Sequence, residues 1–237
     1  MTQKSNRRDF VKRSAAATAG LFVFPSIVRP SALGLGGKLP PSDRVVIGSI
    51  GVGSQGMSNM RDFLRLKNAV QFVAVCDVDS DRQKQAKDVV DAANKNKDCR
   101  MYGDYREFLE KEKLDAVSLA IPDHWHGLIY TETINKKVAV YGEKPISRTI
   151  KDGQAIVAAA KKNNTVWQTG SWQRSLPNFR RGAELAINGR VGKIKYIEVG
   201  LPDGGRGVGT PPIQDVPPAI NWDMWLGPAP KVPYRGT

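Results

Sequence analysis

The sequence predicts an α/β fold built on a doubly wound parallel sheet, and two observations support this. Short runs rich in β-branched and apolar residues recur along the chain, at residues 45–50, 72–75, 116–120, 138–141 and 166–169. They are apolar on both faces, which is typical of parallel strands covered by helices on each side. Segments of helical periodicity separate them. This alternation predicts right-handed crossovers and a ligand site at the carboxyl ends of the strands.

The helical segments between the strands are apolar on one side. Met57, Met60 and Leu64 form one such stripe, and Ala86 and Val90 belong to a second. Stripes at this spacing face the core of an α/β protein. We therefore interpret them as packing surfaces and not as parts of a binding site.

The charge of the chain is unevenly placed. The 237 residues carry a formal net charge of +13, of which residues 1–43 supply seven cations and two anions. In the remainder, cations alternate with anions along the helical segments and form no aromatic-rich basic stripe, so nucleic-acid binding is not predicted. An anionic substrate is compatible with the excess.

The first forty residues are typical of an export signal and linker. Arg7 and Arg8 precede Phe10, and a weakly apolar, alanine-rich run follows at 14–28. This pattern resembles a twin-arginine signal and predicts an exported protein of the periplasm or cell envelope, with the twin-arginine machinery as a partner. An ordinary secretory signal is the alternative. A membrane anchor is disfavoured, because Pro25 interrupts a run shorter than the roughly 20 residues that span a bilayer.

Neither the cysteines nor the histidines indicate a metal site. Cys76 and Cys99 form no disulfide framework and no zinc pattern. His124 and His126 are two residues apart, so on a helix their side chains would diverge by about 200° and could not share a metal.

A glycine motif follows the first predicted strand and opens the first predicted helix: Gly51-Val52-Gly53-Ser54-Gln55-Gly56. In this context Gly51 permits a tight turn, Gly53 lets the backbone approach a pyrophosphate, and Gly56 lets helix and strand pack closely. Backbone amides at the helix start, from Ser54 and Gln55 onward, would hold the anion. The motif predicts a dinucleotide site in a Rossmann-type domain.

An acidic residue stands where such a site requires one. Asp77 follows the second predicted strand, 21 residues beyond Gly56. Its carboxylate would accept hydrogen bonds from the ribose hydroxyls and would repel a 2′-phosphate. The sequence therefore favours NAD over NADP.

Two further strand ends carry unusual residues. Ile121-Pro122-Asp123-His124-Trp125-His126 follows one, and Gly142-Glu143-Lys144-Pro145 follows the next. With the glycine motif, this ordered set resembles the Gfo/Idh/MocA family of sugar-type oxidoreductases from about Arg44 to the end of the chain. Residues 169–175 and 221–228 are similar to an exported branch of that family.

The resemblance implies roles for individual residues. Lys144 would lie beside the nicotinamide and the substrate, where it would orient a sugar hydroxyl or exchange a proton with it. Glu143 would orient that ammonium and contact the cofactor together with Pro122. His126 would lie near the cofactor edge as a third catalytic candidate. Gln173 and Arg174, on the segment after the last strand, are candidates for substrate binding.

The pattern changes after residue 170. A helix is predicted at 178–189 and a strand at 194–199, followed by a loop rich in glycine and proline at 200–218. We therefore predict three parts: a signal and linker at 1–40, a Rossmann-type domain at 41–170, and the start of an α+β substrate domain with a mainly antiparallel sheet at 171–237. The resemblance implies that this last domain continues further, supplies a catalytic histidine not found here, and mediates homo-oligomers. We thus expect the chain to be C-terminally incomplete.

Three functions are compatible with these residues. The first is NAD-dependent hydride transfer at a hydroxyl of a sugar or cyclitol. The second is NAD-assisted glycoside cleavage with no net redox change. The third is non-catalytic binding of a nucleotide or sugar. Release of NADH would indicate the first function, and release of a sugar without NADH would indicate the second. Binding of the cofactor with neither product would indicate the third.

Overall fold

The computed structural model describes residues 39–66, 68–201 and 209–236. The residues that suggest a twin-arginine signal, 6–12 and 14–28, lie outside the described residues. The chain divides into two units, Met1–Asp43 and Arg44–Thr237. The described part of the first contains one short 3-10 helix, Pro41–Asp43. The sheet, the helices around it and the candidate site all belong to the second unit.

Six parallel strands form one sheet in the order β3-β2-β1-β4-β5-β6. This order, which reverses between β1 and β4, is that of a doubly wound Rossmann-type fold, so the predicted fold class is confirmed. The strands are β1 (Val45–Ile50), β2 (Val70–Cys76), β3 (Arg100–Tyr102), β4 (Ala116–Leu119), β5 (Ala139–Glu143) and β6 (Trp167–Gly170).

Helices connect the strands and continue past the sheet. They are α1 (Ser54–Arg65), α2 (Ser80–Asn94), α3 (Tyr105–Lys111), α4 (Asp123–Asn135), α5 (Ile150–Asn163), a 3-10 helix (Trp172–Ser175), α6 (Pro177–Ile187) and α7 (Trp222–Leu226). In the part of the chain that the structure describes, no helix combines the length and apolarity needed to cross a membrane.

Side-chain caps define where several helices begin. The Asp79 carboxylate accepts hydrogen bonds from the first amides of α2, and Thr149 does the same for α5. Such caps each contribute about 1 kcal/mol to stability. They fix the helix starts next to the carboxyl edge of the sheet, where the ligand site is expected.

Two apolar clusters lie on opposite faces of the sheet. One packs α1 and α2 against the strands through Met60, Ala86 and Val90, as their spacing predicts. The other packs α3, α4 and α5 through residues such as Phe108 and Tyr130, both fully buried. Burying each large side chain contributes about 1.5–3 kcal/mol. The sheet is therefore held rigidly from both sides, and its strand ends are fixed points.

The segment after β6 differs from its prediction in one respect. The helix predicted at 178–189 is present as α6, but the strand predicted at 194–199 is wrong. Its apolar side chains are exposed; Tyr196 and Ile197 are 79% and 80% accessible. A strand forms only where a neighbouring edge pairs with its backbone, and the described residues provide none there. The predicted antiparallel sheet is therefore not formed within 171–201 and 209–236.

Candidate functional site

The glycine loop makes a tight turn at the carboxyl end of β1. Gly51 has a φ of +78°, and its amide donates to the Cys76 carbonyl at 2.8 Å. A Cβ placed on Gly51 would lie 2.2 Å from the Ala120 carbonyl oxygen, and one on Gly56 would lie 1.9 Å from the Gly51 carbonyl oxygen. Only glycine fits at either position. The loop therefore lies against the ends of β2 and β4, with α1 packed directly upon it.

The start of α1 is a positively polarised surface. Gly53 is the N-cap and has no side chain to satisfy the first amides of the helix. The Arg82 guanidinium lies close above it, since a Cβ on Gly53 would be 2.8 Å from Arg82 Nη1. Arg82 also pairs with Asp79 at 3.4 Å and is 56% exposed. Free amides, the helix dipole and a nearby cation together suit a pyrophosphate.

Asp77 braces the same loop from the end of β2. One carboxylate oxygen accepts the Val52 amide at 2.8 Å and the other accepts the Asp79 amide at 3.0 Å. The residue is 8% exposed, and burial raises the pKa of its carboxyl although both amide bonds oppose the shift. Each oxygen can accept a second hydrogen bond. Asp77 can therefore hold the loop and still accept from ligand hydroxyls.

A cavity of about 260 Å³ opens above the loop. Seven residues predicted to bind a cofactor line it: Gly51, Gly53, Ser54, Gln55, Gly56, Asp77 and Pro122. Among the other residues of its wall are an arginine, three aromatic residues and a methionine that the sequence did not predict: Arg82, Tyr105, Trp125, Trp225 and Met224. The cavity combines an anion-binding floor with apolar and aromatic walls, as a dinucleotide requires.

Glu143 lies at the end of β5 and is held from α1. Its carboxylate accepts a hydrogen bond from Asn59 Nδ2 at 2.9 Å and one from Gln55 Nε2 at 3.3 Å. The residue is 5% exposed, and Gly170 on β6 leaves the space for it, because a Cβ there would lie 2.6 Å from Glu143 Oε1. Gln55 thus joins the cavity to Glu143. The structure directs the carboxylate towards α1.

Lys144 and the two substrate candidates lie outside the cavity but on the same edge of the sheet. Lys144 is exposed directly after β5, and its bond to Pro145 is cis. Gln173 and Arg174 are exposed on the 3-10 helix that follows β6, the strand paired with β5. All three therefore follow β5 and β6, two paired strands, at the carboxyl edge of the sheet. Their roles in substrate binding and catalysis stay predictions.

His126 lies in the first turn of α4, with its ring directed into the protein interior. Its ring is fully buried and stacks on Tyr130, with centroids 4.5 Å apart. The two ring nitrogens lie 2.6 Å from the Pro145 carbonyl oxygen and 3.0 Å from that of Ile121. The catalytic role that the family resemblance implies for His126 stays a prediction. His126 ties the loop after β4 to the loop after β5.

Asn59 is a site residue that sequence reasoning missed. It is the third residue after Gly56, buried in α1, and it donates to Glu143 across 84 residues of chain. The available signal was a polar residue next to Met60, on the apolar side of that helix. A buried amide in such a stripe needs a partner, and the Glu143 carboxylate at the end of β5 is that partner.

Comparison with known proteins identifies this arrangement with one family. The family model "Oxidoreductase family, NAD-binding Rossmann fold" (Gfo/Idh/MocA) matches residues 45–171, just over half of the chain. A glycosyl hydrolase family 109 protein of Shewanella baltica is 30% identical over 173 residues, which is 66% of this chain and 37% of that protein. One from Shewanella pealeana is 26% identical over 78% of this chain and 42% of its own length. The chain thus spans well under half of these relatives.

Solved structures share the fold. Myo-inositol 2-dehydrogenase from Lactobacillus plantarum superposes with a TM-score of 0.58 at 24% identity, covering 64% of this chain and 43% of the other. Scyllo-inositol dehydrogenase from Lactobacillus casei, solved with NAD(H) and scyllo-inositol, gives 0.57 at 20% identity, with 63% and 42% covered. A probable dehydrogenase from Thermotoga maritima gives 0.55 at 27% identity, with 63% and 43% covered. The first two, at these identities, show the fold alone.

Proposed function

The chain belongs to the Gfo/Idh/MocA family of oxidoreductases with an NAD-binding Rossmann fold, and we propose that it binds NAD and transfers hydride at a hydroxyl of a sugar or cyclitol. One observation carries this proposal: seven residues from three different strand ends line a single cavity, and Gln55 joins that cavity to Glu143, the residue before Lys144. The class of substrate is proposed on the resemblance of the glycine motif, Pro122 to His126 and Glu143-Lys144-Pro145 to sugar-type oxidoreductases.

In this proposal one group of residues binds the cofactor, and another group accepts or donates the proton. The amides of α1 and the Arg82 cation would hold the pyrophosphate. Asp77 would accept from the ribose hydroxyls, and its charge beside a 2′-phosphate would disfavour NADP. When bound, NAD supplies the acceptor for the hydride that leaves the substrate carbon.

Oxidation of a hydroxyl also releases a proton. Lys144, exposed at the end of β5, is the group we assign to accept that proton or to orient the hydroxyl. Glu143 is held by Asn59 and Gln55 and fixes the strand end from which Lys144 projects. The reverse reaction uses the same groups in the opposite sense.

NAD-assisted glycoside cleavage is the second candidate. The similarity to glycosyl hydrolase family 109 proteins, at up to 30% identity, favours it. In that reaction an oxidation and a later reduction cancel, so the same binding residues would serve. Net formation of NADH from a sugar or cyclitol supports the dehydrogenase, whereas release of a sugar with no net NADH supports the glycosidase.

A binding experiment tests the proposed function. Calorimetric titration of the full chain with NAD and with NADP should show saturable binding and a preference for NAD. Asp77→Asn should reduce that preference by at least about tenfold, since it removes the charge that opposes a 2′-phosphate. Asp98→Asn, the same change at an exposed residue away from the cavity, is the matched control. No saturable binding of either dinucleotide would refute the proposal.

Export is proposed on the sequence pattern. Arg7 and Arg8 before Phe10 support passage through the twin-arginine machinery to the periplasm or cell envelope. Replacing both arginines with lysine should retain the protein in the cytoplasm of a producing bacterium, as fractionation would detect. Unchanged export would contradict this route. The substrate domain at 171–237 and the homo-oligomer stay predictions.

A further inference from the structure

One segment near the end of the chain returns to the sheet and crosses its carboxyl edge. We call residues 219–227 the clasp; they include α7. At one end the clasp is hydrogen bonded to the turn after β2: the Ser80 amide donates to the Ala219 carbonyl, and the Asn221 amide donates to the Val78 carbonyl, both at 2.9 Å. An isolated antiparallel bridge joins Asp79 and Ile220 between them. The clasp is therefore paired by its backbone to the residues that follow Asp77.

The other end of the clasp is held at the start of α4. Trp125 Nε1 lies 3.1 Å from the carbonyl oxygens of both Met224 and Trp225, and His124 Nε2 lies 2.9 Å from the latter. Leu226 is 4% exposed. Gly227 has a φ of +47°, and a Cβ on it would come within 2.0 Å of the Trp125 ring. The Gly227 backbone thus lies so close to the Trp125 ring that no side chain fits between them.

Between its two ends the clasp passes over the cavity. Met224 and Trp225 form part of the cavity wall, together with Tyr105 and Trp125. The rings of Tyr105 and Trp125 meet edge to face at 5.7 Å, as do those of His124 and Trp225 at 5.4 Å. Flat aromatic and thioether groups of this kind bind the face of a purine ring.

The cover is asymmetric. The cavity that the clasp covers contains Asp77 and the glycine loop, whereas Lys144, Gln173 and Arg174 are not part of its lining. The clasp thus restricts the half of the site that would hold the adenosine. The edge where a substrate would be handled is left accessible.

From this geometry we propose that the clasp forms the wall against the adenosine half of the bound dinucleotide and slows its release, so that the cofactor stays bound between turnovers. Met224 and Trp225 are the binding residues. Trp125, His124 and Gly227 position them. This proposal rests on the proposed function, because it presupposes that a dinucleotide binds.

The test measures the rate at which the cofactor leaves. The full chain is loaded with NADH and mixed with excess NAD, and the loss of bound NADH fluorescence is followed. Gly227→Ala would force the clasp away from Trp125 and should accelerate release at least about tenfold. Gly189→Ala is the matched control: Gly189 also has a positive φ, of +69°, but a Cβ on it meets nothing within 4 Å. Its release rate should stay within about twofold of the parent.

A second variant keeps the test decisive if Gly227→Ala does not fold. Trp225 is 37% exposed and its ring stacks on Trp222 with centroids 4.8 Å apart. Trp225→Ala removes the ring from the wall together with this stack, but leaves the buried Leu226 in place. It should accelerate release about tenfold, in line with the loss of one stacking ring. Equal release rates for the parent and Trp225→Ala overturn the clasp proposal while leaving the proposed function intact. Failure of the parent to bind NADH at all would overturn the proposed function itself.

Discussion

Asn59→Asp tests whether the buried amide of α1 holds Glu143. The substitution keeps the shape of the side chain but replaces the amide, which donates to Glu143 Oε1 at 2.9 Å, with a second carboxylate. Glu143 is 5% exposed, so water can do little to separate the two charges. The introduced carboxylate, when ionised, would also have no hydrogen to donate, so the hydrogen bond to Glu143 would be lost.

Two estimates bound the cost. Two like charges about 3 Å apart repel by about 6 kcal/mol at an effective dielectric constant of about 20. The introduced carboxyl can instead take up a proton and donate it to Glu143. For a reference pKa of about 3.9, holding that proton costs about 4 kcal/mol at pH 7 and about 1.5 kcal/mol at pH 5. Protonation is the cheaper route and therefore sets the expected loss of stability.

Urea unfolding of the parent and the variant at pH 5 and pH 7 measures this loss. The folded state raises the pKa of the introduced carboxyl above its unfolded value, so the penalty must grow as the pH rises. Asn178→Asp is the control, since Asn178 is exposed in the first turn of α6, where a negative charge does not oppose the helix dipole; its effect should stay within about 0.5 kcal/mol. A penalty at Asn59 below about 1 kcal/mol, or one independent of pH, would refute the reasoning.

Two further predictions follow from close contacts. Gly56→Ala would place a methyl group 1.9 Å from the Gly51 carbonyl oxygen and should weaken NAD binding at least about tenfold by calorimetry. Gly182→Ala, where a Cβ meets nothing within 4 Å, should bind like the parent, and equal affinities for both variants would contradict the loop geometry. Glu112 is bonded to Arg100 and Tyr102, and Arg100 above all holds the pKa of its carboxyl below its ordinary value. Glu112→Gln should cost about 1–3 kcal/mol at pH 7 in urea unfolding, and the difference from the parent should shrink as the pH falls below about 4.5; a difference that stays constant from pH 7 to pH 3 would argue against the ion pair.

The central strands could be predicted from the sequence because their burial leaves a local pattern. Residues 45–50 were predicted as a strand, and β1 has those bounds. A strand covered on both faces is apolar at every position, and its neighbours in the chain show helical spacing. At the centre of the sheet, the apolar run in the sequence therefore indicates directly which residues form a buried strand.

The edges of the fold could not be predicted in the same way. β3 is only three residues long, Arg100–Tyr102, and two of them are exposed at the edge of the sheet, so it has no apolar run to detect. Residues 194–199 show the opposite error: their composition suits a strand, but no neighbouring edge in the described chain pairs with them. Strand formation at an edge depends on a partner, which a local pattern does not contain.

The residues of the candidate site also fall into two groups: those that belong to a local motif, and those that meet only in the folded chain. The glycine loop is local, so its three glycines and the spacing to Asp77 could be predicted from a few residues. Trp125 and Met224, by contrast, meet across 99 residues of chain, and no spacing rule connects them. The sequence suggested the adjacent Lys144 as the partner of Glu143. The hydrogen bonds to its carboxylate come instead from the side-chain amides of Gln55 and Asn59, on a helix much earlier in the chain.

Helix α1 is the element that makes one site from these parts. Its first turn closes the glycine loop at Gly56, and one turn later its buried Asn59 holds Glu143 at the end of β5. A rigid helix transmits a displacement of its start to its next turn, because the two are separated by only about 5 Å along the axis. A ligand that shifts the glycine loop would therefore also shift Glu143, and with it the strand end that carries Lys144. If the proposed function holds, a change at the loop on cofactor binding would reach the strand end that carries Lys144 through Gly56 and Asn59 of α1.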